Sequence, residues 1–168
     1  MCICSIPAID DVEIEETDSS DSSCSPERQG RSLLFHLLYA MDAFNYDTSL
    51  ASLIDSFNRG FETDIPLDGE IARKAQAIID QREALDDAIK PLLSNWRLER
   101  IGLCTRLILR FAVWEILHSD VAPRIIINEA IELAKCFSER DAYKFVNGIL
   151  DELVRRMDDR GITTSKES

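Results

Sequence analysis

Basic residues are missing from the front of this 168-residue chain: no Lys or Arg precedes Arg28. A secretory signal opens on a basic stretch, and an organelle transit peptide is rich in arginine, so neither is expected. Long apolar runs are missing too. A membrane-spanning helix needs about 18 apolar residues in a row, and none occurs, so a cytoplasmic protein without a membrane contact is expected. Histidine is scarce. His36 and His118 fall on different predicted helices, and neither has a ligand mate at metal spacing. The chain holds no phosphate-cradling Walker loop, no Gly-x-Gly-x-x-Gly and no Gly-x-Ser-x-Gly. These absences argue against an enzyme, a cofactor or a bound metal.

Cysteine is present in odd number: Cys2, Cys4, Cys24, Cys104 and Cys136. Two of them lie in or beside apolar helical faces, a pattern of reduced thiols in a cytosolic protein. Cys2-x-Cys4 has no second Cys/His pair nearby to complete a metal site.

The formal net charge is −12, the wrong sign for a nucleic-acid-binding footprint. Its distribution changes that. Eight of the 31 acids and none of the 19 Lys and Arg fall within residues 1–27, which leaves the other 141 residues with an excess of only four acids. Such a body can carry a basic face. Residues 1–25, acidic and Ser-rich, cannot bury enough apolar surface to offset their ordering entropy and are expected to be disordered. They read as a solubilising tail, or as tethered acids that compete with an anionic ligand for the first helix.

From Ser25 onward the pattern is helical. Ser25-Pro26-Glu27 carries a cap, a proline at the first position and an acid in the first turn. Leu33, Leu34, Leu37, Leu38 and Met41 then share one face, with Arg28 and Arg31 on the other. Thr48 can cap a short helix running through Phe57. A third helix starts near Leu67 or Asp68 and carries Ile71, Ala75, Ile78 and Ile79; after a bend at Asp80–Glu83 come Leu85, Ile89 and Leu92. Trp96 reads as a core plug between helices. A long helix from Leu98 to His118 buries Leu103, Leu107, Phe111 and Trp114 and is the expected centre of the bundle. Arg110 interrupts it and needs a partner, with Glu115 and Glu129 the candidates. Pro123 opens the next helix, with Ile127, Ala130, Ile131 and Ala134 on one face. Ser138 or Asp141 then caps a last helix carrying Val146, Ile149, Leu150 and Leu153. Asn128 and Glu129 read as buried or capping hydrogen-bonders.

Three of these stretches carry more than periodicity. They are Ile108-Leu109-Arg110-Phe111-Ala112-Val113-Trp114-Glu115-Ile116-Leu117, Asn128-Glu129-Ala130-Ile131-Glu132-Leu133-Ala134-Lys135 and Lys144-Phe145-Val146-Asn147-Gly148-Ile149-Leu150-Asp151. Together they resemble the NusB family of transcription antitermination factors. The resemblance covers roughly Glu27 to Met157. It implies an all-α bundle of about seven helices in two subdomains over residues 26–157, with a flexible tail at 158–168.

The resemblance also implies a function. The family's first helix opens with an arginine cluster that contacts RNA; Arg28 and Arg31 fall on matching positions, while Gln29 and Gly30 replace other members of the cluster. The implied RNA surface joins Arg28, Arg31 and Tyr39 of the first helix to Asp141, Lys144 and Phe145 at the start of the last. Cations hold phosphates there and a ring stacks on a base, as suits single-stranded RNA; an acid at Asp141 repels phosphate while favouring the helix N-terminus. The implied partners are boxA-type RNA, the ribosomal protein NusE and the RNA polymerase antitermination complex, with a homodimer left open. Cys104-Thr105-Arg106 lacks the acid that the family often has there for a partner contact. NusB-like domains also precede the catalytic domain of some ribosomal RNA cytosine methyltransferases; this chain stops where that domain would begin, so no enzyme is expected. The competing expectation is a protein-interaction module that binds a NusE-like partner and has lost RNA readout.

Overall fold

The computed structural model describes residues 26–94 and 97–161. The acidic tail of residues 1–25, the residues after 161 and Trp96 lie outside them. Seven α-helices and no strand occur among the described residues: α1 (Pro26–Ala43), α2 (Leu50–Phe61), α3 (Glu70–Asp80), α4 (Arg82–Ile89), α5 (Leu103–His118), α6 (Pro123–Phe137) and α7 (Ala142–Asp159).

Local chemistry accounts for most boundaries. Pro26 and Pro123 occupy first-turn positions, where a missing N–H costs nothing. α2 is capped by Ser49, not Thr48: the Ser52 N–H donates to Ser49 Oγ at 3.1 Å. It also runs one turn past Phe57, to Phe61. α3 and α4 are one helical run broken at Gln81. Pro91 ends α4 in a 3-10 turn over Lys90–Leu92. The long helix expected from Leu98 is shorter, because Leu98–Arg100 forms a separate 3-10 turn and Gly102 opens α5. A Cβ at Gly102 would meet the Glu139 carboxylate oxygen at 3.2 Å, close enough that this flexible side chain would have to shift.

α5 is buried on nearly every side, from Leu107 through Val113 and again at Glu115 and Ile116. A helix apolar all round belongs at the centre. α6 and α7 pack on it and on each other; α1 lies across α5 and α3, and α4 closes against α5. Buried residues of all seven helices form one continuous core, which joins the α1–α4 half to the α5–α7 half. Trp114, expected in the core, is only half-buried: its ring stacks on His118 at 5.0 Å, and its indole N–H is buried without a partner. Leu103 is likewise only partly buried.

Arg110 finds neither of its expected partners. Its guanidinium makes a bidentate pair with Asp86 of α4, at 2.6 and 2.7 Å. It also donates to Tyr46 Oη at 3.3 Å and stands 3.9 Å from Asp42. Tyr46 in turn donates to Asp42 at 2.9 Å, and the Arg82 guanidinium lies 4.8 Å from its ring centroid. Burial, then the hydrogen bond to Asp42, pushes the Tyr46 hydroxyl above its ordinary pKa. The turn after α1 needs this anchor, because Asn45 and Tyr46 both sit at positive φ (50° and 60°).

Removing one partner of a buried pair strands the other. Arg110→Ala is therefore expected to cost about 3–5 kcal/mol in urea unfolding, and Arg110→Met with Asp86→Leu to recover most of it. An unchanged midpoint for Arg110→Ala would show that the clamp contributes nothing.

Candidate nucleic-acid interface

α1 meets α6 through long side chains at two places. Near their starts, Arg28 Nε and Nη2 donate to Glu129 at 3.3 and 3.2 Å. Seven residues on along α1 and eight on along α6, the rings of Phe35 and Phe137 stack at 4.7 Å. The similar spacing gives the two helices a common direction. It also carries the second half of α1 to the end of α6, where the chain turns into α7.

At that end the rings form a continuous cluster. Phe137 meets His36 edge-on at 5.0 Å, and Phe35 lies 6.4 Å from Tyr39. Tyr39 leaves 43% of its surface to solvent. Across the turn, Lys135 of α6 and Lys144 of α7 lie 5.6 and 5.7 Å from the Tyr143 ring centroid. Exposed cations and an exposed ring thus share one end of the bundle. Tyr39 and Lys144 are expected site residues that the fold brings there. His36, Phe137, Lys135 and Tyr143 are members the sequence reading missed; their spacing along the chain carries no sign that residues 35 and 137 touch.

The arginines behave differently. Arg28 is partly exposed, and Glu129 holds it. Arg31, read from the sequence as a phosphate contact, points inward: its side chain is 13% exposed and its Nε donates to Glu115 at 3.1 Å. Glu115 is itself 3% exposed and has Lys74 of α3 3.7 Å away as a second cation. A buried carboxylate demands such company, and that demand takes Arg31 off the surface. Glu129 is engaged by Arg28 instead of fixing a helix start, and Asn128 is exposed.

The turn into α7 also departs from expectation. Asp141 occupies the cap position with φ 70° and ψ −2°, and its side chain caps nothing; the buried Ser138 hydroxyl has no partner either. Asp141 instead reaches forward to Lys144 Nζ at 2.7 Å. The hydrogen bond to Asp141 raises the Lys144 ammonium above its ordinary pKa, and Glu132 does the same for Lys135. Both lysines stay charged, in exposed pairs that cost little to exchange for phosphate. Phe145 lies two residues past Tyr143, 200° around the helix. It packs partly against the core and lines a separate cleft of about 330 Å³ with Arg100, Thr105, Glu139, Arg140 and Asp141.

The sequence model of the NusB family matches residues 28–155. A transcription antitermination protein NusB of Staphylococcus haemolyticus is 37% identical over 126 residues, 75% of this chain and 97% of its own length. One from Anaeromyxobacter dehalogenans is 34% identical over 114 residues, 66% of this chain and 80% of its own. Among solved structures, T. maritima NusB superposes with a TM-score of 0.68 at 30% identity, covering 78% of this chain and 92% of that one. A chain in the crystal structure of a plectonemic RNA supercoil superposes with a TM-score of 0.67 at 25% identity, covering 83% and 98%.

Left-handed backbone is costly for any residue with a Cβ, by about 1–2 kcal/mol. Since the Asp141 carboxylate offsets this only through an exposed ion pair, Asp141→Gly is expected to raise stability by about 1 kcal/mol in urea unfolding. A loss of that size would mean that the pair with Lys144 outweighs the backbone strain.

Proposed function

This chain belongs to the NusB family of transcription antitermination factors, whose work is not catalysis, and we propose that it binds single-stranded boxA-type RNA together with the ribosomal protein NusE. In this reading it acts in the cytoplasm, within the RNA polymerase antitermination complex, and supports processive transcription of ribosomal RNA operons. The supporting observation is the end of the bundle where the exposed Tyr39 ring, its Phe35–His36–Phe137 cluster, Lys135 and Lys144 converge. Bases stack on exposed rings and phosphates sit on exposed cations. Arg28 extends the cationic track along α1 by trading Glu129 for phosphate, and Phe145 takes a base at the mouth of its cleft.

One observation favours a second reading, a protein-interaction module without RNA readout: Arg28 and Arg31 are both engaged by carboxylates of this chain, Arg31 in its interior. A gel shift with boxA RNA, with and without NusE, separates the two. RNA binding that appears with NusE supports the first; NusE binding without any RNA shift supports the second.

For the RNA reading, Tyr39→Ala is expected to weaken binding by about 1–3 kcal/mol, the worth of one stacked base. Lys144→Ala is expected to lower the slope of log affinity against log salt by about 0.7, one phosphate contact on a single strand. Asp141→Asn removes a carboxylate from beside the phosphates and is expected to bind RNA at least as tightly as the parent. Unchanged affinity and slope in both alanine variants would remove this end of the bundle from the RNA path.

A further inference from the structure

The segment joining α2 to α3 is built for contact. Phe61 ends α2 and is 55% exposed, and Leu67 is 60% exposed. Pro66 beside it is exposed as well. Large apolar side chains standing this far into water, close together in the chain, mark interaction surfaces.

The segment holds them in place without the help of a partner. Asn58, one turn before Phe61, binds the linker with its whole amide: its Nδ2 donates to the Ile65 carbonyl at 3.1 Å, and its Oδ1 accepts from the Ile65 N–H at 2.9 Å and the Thr63 hydroxyl at 3.0 Å. Ile65 is buried and pins the linker to the core. Leu67 then tops a turn closed by the Gly69 N–H on the Pro66 carbonyl at 3.0 Å. Gly69 suits this tight turn, since a Cβ would lie 3.0 Å from that carbonyl oxygen. Phe57 supports Phe61 from behind, with ring centroids 5.2 Å apart. A preordered surface of this kind loses little entropy on binding.

Its charge selects the occupant. Glu62, Asp64 and Asp68 are exposed, alternate with the apolar anchors and have no ion-pair partner among the described residues. Arg59, the nearby cation, is spent on Asp55 at 2.7 Å. RNA would be repelled here. A second copy would bring the same acids face to face, and the chain's own N-terminal residues are acidic too. We propose that Phe61, Pro66 and Leu67, ringed by Glu62, Asp64 and Asp68, dock a protein component of the antitermination complex that offers an apolar cleft rimmed by Lys or Arg. Complementary charge sets encounter rate and specificity, and the apolar anchors supply the buried centre. The surface lies apart from the RNA end of α1, α6 and α7, and it rests on the functional reading above for the source of its partner.

The test places the photo-crosslinking residue p-benzoylphenylalanine at Leu67 in the full chain, assembled with purified NusE, RNA polymerase and a boxA transcript. Assembly is read by gel shift, and crosslinks are mapped by mass spectrometry in the shifted complex only. A crosslink to a Lys- or Arg-rich protein segment is expected. It should fall at least about tenfold when Glu62→Lys, Asp64→Lys and Asp68→Lys are introduced together, with the RNA shift unchanged. A missing shift overturns the functional reading, and with it the source of the partner. A shift without a protein crosslink overturns this surface alone. So does a crosslink to RNA or to a second copy, or one that the lysine variant leaves intact.

Discussion

A carboxylate at the centre of an apolar bundle must be neutralised or it unfolds the bundle. Glu115 sets that condition here. It sits on the most buried helix, α5, and the two cations beside it come from α1 and α3. On another side of α5, Arg110 imposes the mirror requirement and draws Asp86 from α4 and the Tyr46–Asp42 pair from the end of α1. The two buried charges of α5 thus recruit α1, α3 and α4 to defined places. Apolar packing would hold these helices together in many registers. The ion pairs select one.

That register makes the candidate interface. With α1 tied to α5 through Arg31 and to α6 through Arg28, Phe35 stacks on Phe137, and Tyr39 lies exposed one turn further along α1. The surface is thus a by-product of interior electrostatics. A change at Glu115 would reach the RNA end through the position of α1, with no contact to RNA itself. The acidic α2–α3 linker is held by Asn58 of α2 and by the buried Ile65.

The helical faces were legible in the sequence because each is dictated within one or two turns. Val146, Ile149, Leu150 and Leu153 repeat on one side of α7, and all four are buried. Pro123 announced α6 for the same local reason. Arg31 was misread because an arginine on a helix looks alike whether water or a carboxylate 84 residues away receives it. Trp114 was misread because helical spacing places it on a stripe but says nothing of where the neighbouring helices end. Asp141 looked like a cap by residue type; its positive φ turns the side chain forward to Lys144. What local pattern could not supply was the pairing of α1 with α6, and the candidate interface is made of that pairing.

The same pairing has a consequence for synthesis. Arg28 bonds a residue 101 positions later in the chain, and Arg31 one 84 positions later. A ribosome adding roughly 5–20 residues per second therefore leaves α1 without α5 and α6 for several seconds after it emerges. During that interval its broad apolar stripe, from Leu34 to Met41, has only α2 and α3 for cover. The helix made first therefore waits for the chain to reach about Phe137 before the surface it exposed on leaving the ribosome is closed.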